Sequence, residues 1–132
     1  VMVVNDLVKR RRFPVEIVAC PTIRQIDGLA LSSRNVYLTE DQRADAPVLY
    51  RALNMGAELI ADGEKSSENL KKLISDIVRN ESKGDLDYVD VVDSETFAPV
   101  NLLSDSGKKI RILIACKFGS ARLIDNIGVV IP

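Results

Sequence analysis

Histidine is absent from this sequence of 132 residues, and tryptophan is absent as well. Without histidine, the chain by itself cannot hold a Ser-His-Asp triad, a Cys-His pair, a histidine general base or a histidine metal ligand. Cys20 and Cys116 stand far apart and form no C-x-x-C motif. This pattern favours two reduced thiols in a cytosolic protein.

Two further absences concern location and partners. The sequence has no run of about 18 apolar residues, and its start lacks the charged region and cleavage site of a signal peptide. The 18 Lys and Arg residues nearly balance the 19 Asp and Glu residues. Such a balance gives no drive toward nucleic acid or an anionic membrane. We therefore expect neither partner, and a cytoplasmic location.

The first 22 residues read as one helix followed by one strand. Val4, Leu7 and Val8 share a helical face, and the basic residues 9–12 follow them. That basic run either binds an anion or caps a solvated helix end, and the helix dipole favours the second interpretation. Residues 15–20 are nearly all apolar, which is typical of a parallel strand buried on both faces. We expect residues 1–22 to be the tail of a Rossmann-like α/β domain whose earlier part is absent, so that the chain is a fragment.

Residues 23–132 predict a small α+β domain at the C-terminal end. Thr39 and Gln42 have the spacing of a capping box, and Pro47 should kink the helix that follows. Ser66 or Ser67 precedes a second helix with apolar residues at helical spacing. The period then changes to two, which predicts strands over residues 86–92, 110–116 and 121–127, the last two joined as a hairpin. Helices packed on a three-stranded antiparallel sheet are the expected architecture.

The segment TIRQIDGLALSSRN, residues 22–35, carries the most chemical information. Gly28 allows a sharp turn, and Ser32, Ser33 and Arg34 then place two hydroxyls beside a guanidinium. A phosphate group suits such donors, because a guanidinium is always charged and offers several N–H groups. The alternative is an ordinary polar loop with Arg34 in a surface ion pair, since no glycine-rich P-loop is present. The residues alone leave both interpretations open.

The motif DGLALSSRN, with PTIR before it and VYL after it, resembles the signature of the pantothenate synthetases, or pantoate–β-alanine ligases. FPVEIVACPTIR, LDYVDVVDSET and ARLIDNI extend the resemblance along essentially the whole chain, which matches the second half of the family. The resemblance implies a cytoplasmic ligase of pantothenate biosynthesis. It forms pantoyl adenylate from pantoate and ATP, with Mg²⁺ accompanying the nucleotide, and then transfers the pantoyl group to β-alanine.

The resemblance also implies roles for individual residues. Ser32, Ser33 and Arg34 would contact the ATP phosphates and stabilise the charge that develops on the leaving pyrophosphate. Leu31 would lie beside them, and Ile23 would meet the adenine through its backbone. No metal ligand is expected in this chain. The C-terminal domain would act as a lid with its hinge near residues 22–27, and the family's homodimer would form through the other domain.

The histidine motif, the GEKD-type segment and the pantoate-binding glutamines of the family have no counterpart here. We therefore expect the chain alone to be inactive. Two other hypotheses stay open at this point. One is a different adenylyl- or cytidylyltransferase that shares the same phosphate loop, and the other is a non-catalytic α+β interaction module.

Overall fold

The computed structural model describes all 132 residues, in four α-helices, one short 3₁₀ helix and three β-strands. In chain order these are α1 (Met2–Arg11), the 3₁₀ helix (Ser33–Tyr37), α2 (Glu40–Asp45), α3 (Val48–Ala61), α4 (Ser67–Glu81), β1 (Asp85–Asp93), β2 (Lys109–Phe118) and β3 (Ala121–Val130). The predicted α+β class is confirmed. No helix is both long and apolar enough to cross a membrane.

The three strands form one antiparallel sheet in the order β1-β2-β3. The predicted hairpin is present: Phe118 pairs with Ala121, and Gly119 opens the two-residue turn with a φ of +62°. Glycine suits that position because side chains disfavour positive φ. The register of β1 shifts between Leu86 and Tyr88, which marks a bulge near one end of the sheet.

The helices cover one face of this sheet. Helices α3 and α4 pack against each other, α4 also contacts β1, and α3 contacts β2 and β3. The two helices approach closely at Gly56, where an added Cβ would come within 2.7 Å of the Ile74 side chain. The core therefore lies between the helix pair and the sheet, and its fully buried large residues include Leu53, Ile60, Leu70, Ile74, Leu103, Ile110, Ile112, Ile114 and Phe118.

The local signals for helix ends are confirmed, with one difference in the helix count. Thr39 and Gln42 form the capping box of α2, and the Ser66 hydroxyl caps α4. Pro47 does more than kink a helix, because it separates α2 from α3. Proline has no N–H to donate to the preceding turn, so a new helix begins after it. The expected two helices of this part of the chain are therefore three.

The strand predicted over residues 15–20 is wrong for this chain. Those residues lie in neither a helix nor a strand, and all but one of them are exposed. A parallel strand needs hydrogen-bonded neighbours, whereas the three strands present pair only with one another. Helix α1 does form, yet it contains no buried residue.

Candidate functional site

The segment 22–35, in which the sequence predicts a phosphate site, folds back on itself around Gly28. Arg24 and Ala30 form an isolated antiparallel bridge, and the Leu31 N–H donates to the Ile23 carbonyl at 2.8 Å. The Gly28 N–H donates to the Gln25 carbonyl at 2.9 Å, which closes the turn. This short hairpin delivers the chain to Ser32, where the 3₁₀ helix begins.

Gly28 is required at the tip of this hairpin for two reasons. Its φ of +91° lies in the region that side chains rarely adopt. An added Cβ would also overlap the ring of Tyr50, which projects from α3. The tip of the hairpin therefore lies directly against that aromatic ring.

A buried ion pair holds the hairpin to strand β3. The Arg24 guanidinium donates to both carboxylate oxygens of Asp125, from Nη1 at 2.6 Å and from Nη2 at 2.8 Å. Only 17% of the Arg24 side chain and 4% of the Asp125 side chain are exposed. The hydrogen bonds to Asp125 raise the pKa of Arg24 above its ordinary value, against the opposing effect of burial. Arg24 also stacks on Tyr50, with 3.9 Å between the guanidinium carbon and the ring centroid.

A second, more exposed contact holds the hairpin to α2. Arg43 donates to the Asp27 carboxylate at 2.6 Å and to the Gln25 side-chain oxygen. The Arg43 hydrogen bond lowers the pKa of Asp27 below its usual range, and the N–H of Leu29 contributes in the same direction. The hairpin is thus bound to three elements of the α+β domain: β3, α3 and α2.

A cavity of about 360 Å³ lies between the hairpin, α3 and β3. Leu31, Ser32 and Arg34 line it, so the structure brings together three of the five residues expected at the ATP site. Ser33 and Ile23 are exposed and do not line this cavity. The cavity is lined by Thr22, Leu29, Ala30, Leu31, Ser32, Arg34, Asn35, Ala46, Leu49, Tyr50, Arg122, Leu123, Ile124, Asp125 and Asn126.

The side chains of residues 32–35 make few hydrogen bonds to the rest of the chain. The Ser32 hydroxyl accepts from the Arg34 N–H at 3.2 Å, and one Arg34 nitrogen donates to the Arg122 carbonyl at 3.2 Å. Ser33 makes no side-chain hydrogen bond. The Asn35 amide donates to the Ala30 carbonyl at 3.1 Å, whereas its buried oxygen has no partner.

The charge at the cavity is mainly positive. Arg34 and Arg122 both line it, and Arg122 reaches Asp87 outside the lining with an Nε–Oδ2 distance of 2.9 Å. Asp125 is the only lining carboxylate, and Arg24 occupies both of its oxygens. The cavity therefore offers an anion a guanidinium and hydroxyl donors, and its one lining carboxylate, the group that a divalent cation prefers, is already paired with Arg24.

Sequence reasoning missed the residues that support this loop, namely Arg24, Tyr50, Arg122 and Asp125. A signal for one of them was present. The period of two in β3 places Asp125 on the same face as Leu123 and Ile127. A carboxylate among apolar residues requires a cationic partner, so that position indicated a buried ion pair. Nothing in the local pattern identified Arg24 as the partner, because the two residues are 101 positions apart.

Comparison with known proteins gives consistent results. A family model described as pantoate-beta-alanine ligase matches residues 1–128. A pantothenate synthetase of Caldicellulosiruptor saccharolyticus is 44% identical over 127 residues, which cover 96% of this chain and 44% of the relative. One from Geobacillus thermodenitrificans is 39% identical over 132 residues, covering 100% of this chain and 45% of the relative. This chain thus spans less than half the length of these curated relatives.

Solved structures show the same likeness. A crystal structure of pantothenate synthetase from Thermus thermophilus matches with a TM-score of 0.84 and 41% identity, over 96% of this chain and 44% of that one. A pantoate-beta-alanine ligase from Francisella tularensis, complexed with beta-gamma ATP and beta-alanine, matches with a TM-score of 0.56 and 29% identity. That match covers 96% of this chain and 38% of the other.

Proposed function

This chain belongs to the pantoate–β-alanine ligase family, and from that premise we propose that it forms the C-terminal part of an ATP-dependent ligase. The ligase joins pantoate to β-alanine through a pantoyl adenylate. The observation that carries the proposal is the single cavity on which Leu31, Ser32 and Arg34 lie together. The Francisella tularensis relative is complexed with beta-gamma ATP and beta-alanine, which supports ATP and β-alanine as substrates here.

The residues of this loop would act in the first of two steps. A carboxylate oxygen of pantoate attacks the α-phosphorus of ATP, the bond to the bridging oxygen breaks, and pyrophosphate leaves. Negative charge grows on the pyrophosphate as that bond breaks. Arg34, with Ser32 and Ser33, would stabilise this charge, because donors fixed in advance cost no reorganisation at the moment of reaction. In the second step the amine of β-alanine attacks the acyl carbon, loses a proton and displaces AMP.

The remaining groups would orient the nucleotide. The Ile23 carbonyl already accepts a hydrogen bond from Leu31, whereas the Ile23 N–H has no partner in the chain and is available to adenine. Leu31 would supply an apolar contact beside it. We propose that Mg²⁺ arrives with the ATP phosphates, because the single lining carboxylate is held by Arg24.

We further propose the domain division and the assembly. Residues 1–22 would belong to the nucleotide-binding α/β domain, and residues 23–132 would form the lid that excludes water from the reactive adenylate. None of residues 1–22 is buried, which supports a boundary in this region. The homodimer would form through the α/β domain. A cytoplasmic location stays a prediction that rests on the family resemblance.

The proposal is tested by pyrophosphate release from ATP, measured with and without pantoate, in the complete ligase that contains this chain. We expect release to require pantoate. Arg34→Ala should lower kcat by about 100- to 1,000-fold, the usual cost of removing one donor from a developing anion. Arg34→Lys should recover only part of the loss, because an ammonium lacks the planar fork of donors. Arg79→Ala is the matched control, since Arg79 is exposed in the last turn of α4.

Each other outcome points to a specific alternative. Release that is indifferent to pantoate would indicate another nucleotidyltransferase. A folded ligase that releases no pyrophosphate would leave a non-catalytic interaction module. The 132-residue chain alone should show no pantoate-dependent turnover, and turnover by that chain would contradict the proposed division of the site between two domains.

A further inference from the structure

We propose that Arg24 is a positioning residue, which through its ion pair with Asp125 fixes the segment 31–34 against strand β3; this inference rests on the proposed function. The pair would set the place of Ser32 and Arg34 without touching ATP itself. Arg24 and Asp125 lie 101 positions apart and meet only in the folded chain, where the guanidinium donates to both carboxylate oxygens.

The Arg24 guanidinium joins three parts of the fold. Besides Asp125, it donates to the Gly28 carbonyl at 3.0 Å and, more weakly, to the Asn126 carbonyl at 3.4 Å. Its flat face lies on the ring of Tyr50 from α3. One side chain therefore ties the turn of the hairpin to both β3 and α3.

Strand β3 contacts both ends of the segment 24–34. Arg24 binds Asp125, and ten residues later Arg34 donates to the carbonyl of Arg122 on the same strand. The Leu31–Ile23 hydrogen bond and the Arg24–Ala30 bridge make the intervening chain a short hairpin. A displacement of the hairpin at Arg24 is therefore transmitted to Ser32 and Arg34 through hydrogen-bonded backbone.

A buried ion pair contributes little net free energy to folding, because apolar residues of similar size often stabilise a protein as well or better. A bidentate guanidinium–carboxylate pair does fix direction, because two parallel hydrogen bonds allow one relative orientation. The burial of Asp125 and the stacking of Arg24 on Tyr50 restrict that orientation further. The Arg24–Asp125 pair therefore orients the segment 31–34.

The same contacts locate any hinge more narrowly than residues 22–27. Arg24 is bound to β3, and Gln25 and Asp27 are bound to Arg43 of α2. These residues therefore move with the α+β domain. A hinge between the two proposed domains would lie before Arg24.

The test uses the complete ligase with Arg24→Gln, Asp125→Asn and the double variant. Two quantities are measured: kcat/KM for ATP in pantoate-dependent pyrophosphate release, and amide hydrogen exchange over residues 28–35. Each single variant should lose about 10- to 100-fold in kcat/KM, the scale expected when reacting groups are misplaced by about 1 Å. The double variant should lose no more than the worse single variant, because the two residues act as one unit. Exchange over residues 28–35 should become faster.

Ile74→Val is the control for stability, because Ile74 is fully buried in the core. It should lower the melting temperature without changing kcat/KM for ATP or exchange over residues 28–35. Asp125→Asn preserves the size of the side chain and one acceptor oxygen, so it keeps the test valid if Arg24→Gln does not fold.

Two results would overturn the inference. One is an unchanged kcat/KM in both single variants, whatever happens to stability. The other is exchange over residues 28–35 that stays as slow as in the unmodified ligase. If the unmodified ligase releases no pyrophosphate, the proposed function fails, while the exchange measurement still decides whether Arg24 holds the loop.

Discussion

Helices α1 and α4 differ in burial far more than in length. Helix α1 has 10 residues, no side-chain cap and no buried residue. Helix α4 has 15 residues, a Ser66 cap and buried Leu70, Ile74 and Val78. Apolar side chains occur in both, but only α4 has the sheet and α3 against which to bury them. An apolar pattern therefore predicts that a helix forms, but its apolar face is buried only where other elements of the chain pack against it.

The two cysteines extend this comparison to reactivity and give the largest expected effect. Cys20 is exposed, whereas Cys116 is buried in β2, and burial raises its pKa to about 11. In the isolated chain at about pH 8, a thiol reagent should modify Cys20 faster than Cys116 by about 1,000-fold or more, because the Cys116 thiolate is scarce and shielded.

Mass spectrometry after timed labelling measures both rates, and urea-unfolded chain serves as the control in which the rates converge. The raised pKa also sets a direction for stability. A protonated Cys116 favours the folded chain, so this contribution is present below about pH 9 and is lost as the pH rises toward about 11. Equal labelling rates in the folded chain would contradict the burial of Cys116.

Matched leucine truncations compare the energetics of α1 with those of the buried core between the helices and the sheet. Leu53 in α3 is fully buried, and Leu7 in α1 is 47% exposed. Leu53→Ala should lower the free energy of unfolding by about 2–5 kcal/mol through lost burial and a residual cavity. Leu7→Ala should change it by less than about 0.5 kcal/mol. Urea unfolding measures both, and similar costs at the two positions would refute the comparison.

A pair of glycines separates backbone strain from packing at the hairpin. Gly63 has a φ of +105° and open space around it, whereas Gly28 has a φ of +91° and lies against Tyr50. Gly63→Ala should cost about 1–2 kcal/mol from the backbone alone. Gly28→Ala should cost a further ~1–3 kcal/mol, because Tyr50 has to move. Thermal unfolding compares them, and equal costs would show that the Tyr50 contact is unimportant.

The smallest effect is expected at an exposed ion pair. Arg51 and Glu81 join α3 to α4 at 2.7 Å, and about half of each side chain is exposed. Arg51→Gln should cost less than about 1 kcal/mol, and the cost should shrink in high salt. Urea unfolding at low and high salt measures this cost, and a loss of several kcal/mol would contradict the small contribution expected of an exposed ion pair.

The local parts of the fold could be predicted because their causes lie within a few residues. Residues close together in the sequence determine the Thr39–Gln42 capping box, the Ser66 cap and the turn at Gly119. The strand over residues 15–20 could not be judged in this way. Its formation depends on partner strands, and no local pattern shows whether they are present.

The candidate site also contains residues that could be predicted and residues that could not. Ser32 and Arg34 could be predicted because a hydroxyl and a guanidinium two residues apart suggest an anion site. The ion pair that positions them could not, because Arg24 and Asp125 meet only after the sheet has formed. The apolar face of β3 indicated that Asp125 requires a cationic partner. Only the tertiary structure determines which of the 18 basic residues pairs with it.

The most direct test of the proposed phosphate site is a crystal structure of the complete ligase with a non-hydrolysable ATP analogue. We expect phosphate oxygens within about 3 Å of the Arg34 guanidinium and the Ser32 hydroxyl, with the Arg24–Asp125 ion pair intact. An analogue bound with its phosphates beyond hydrogen-bond reach of both residues would show that this loop does not hold the phosphates.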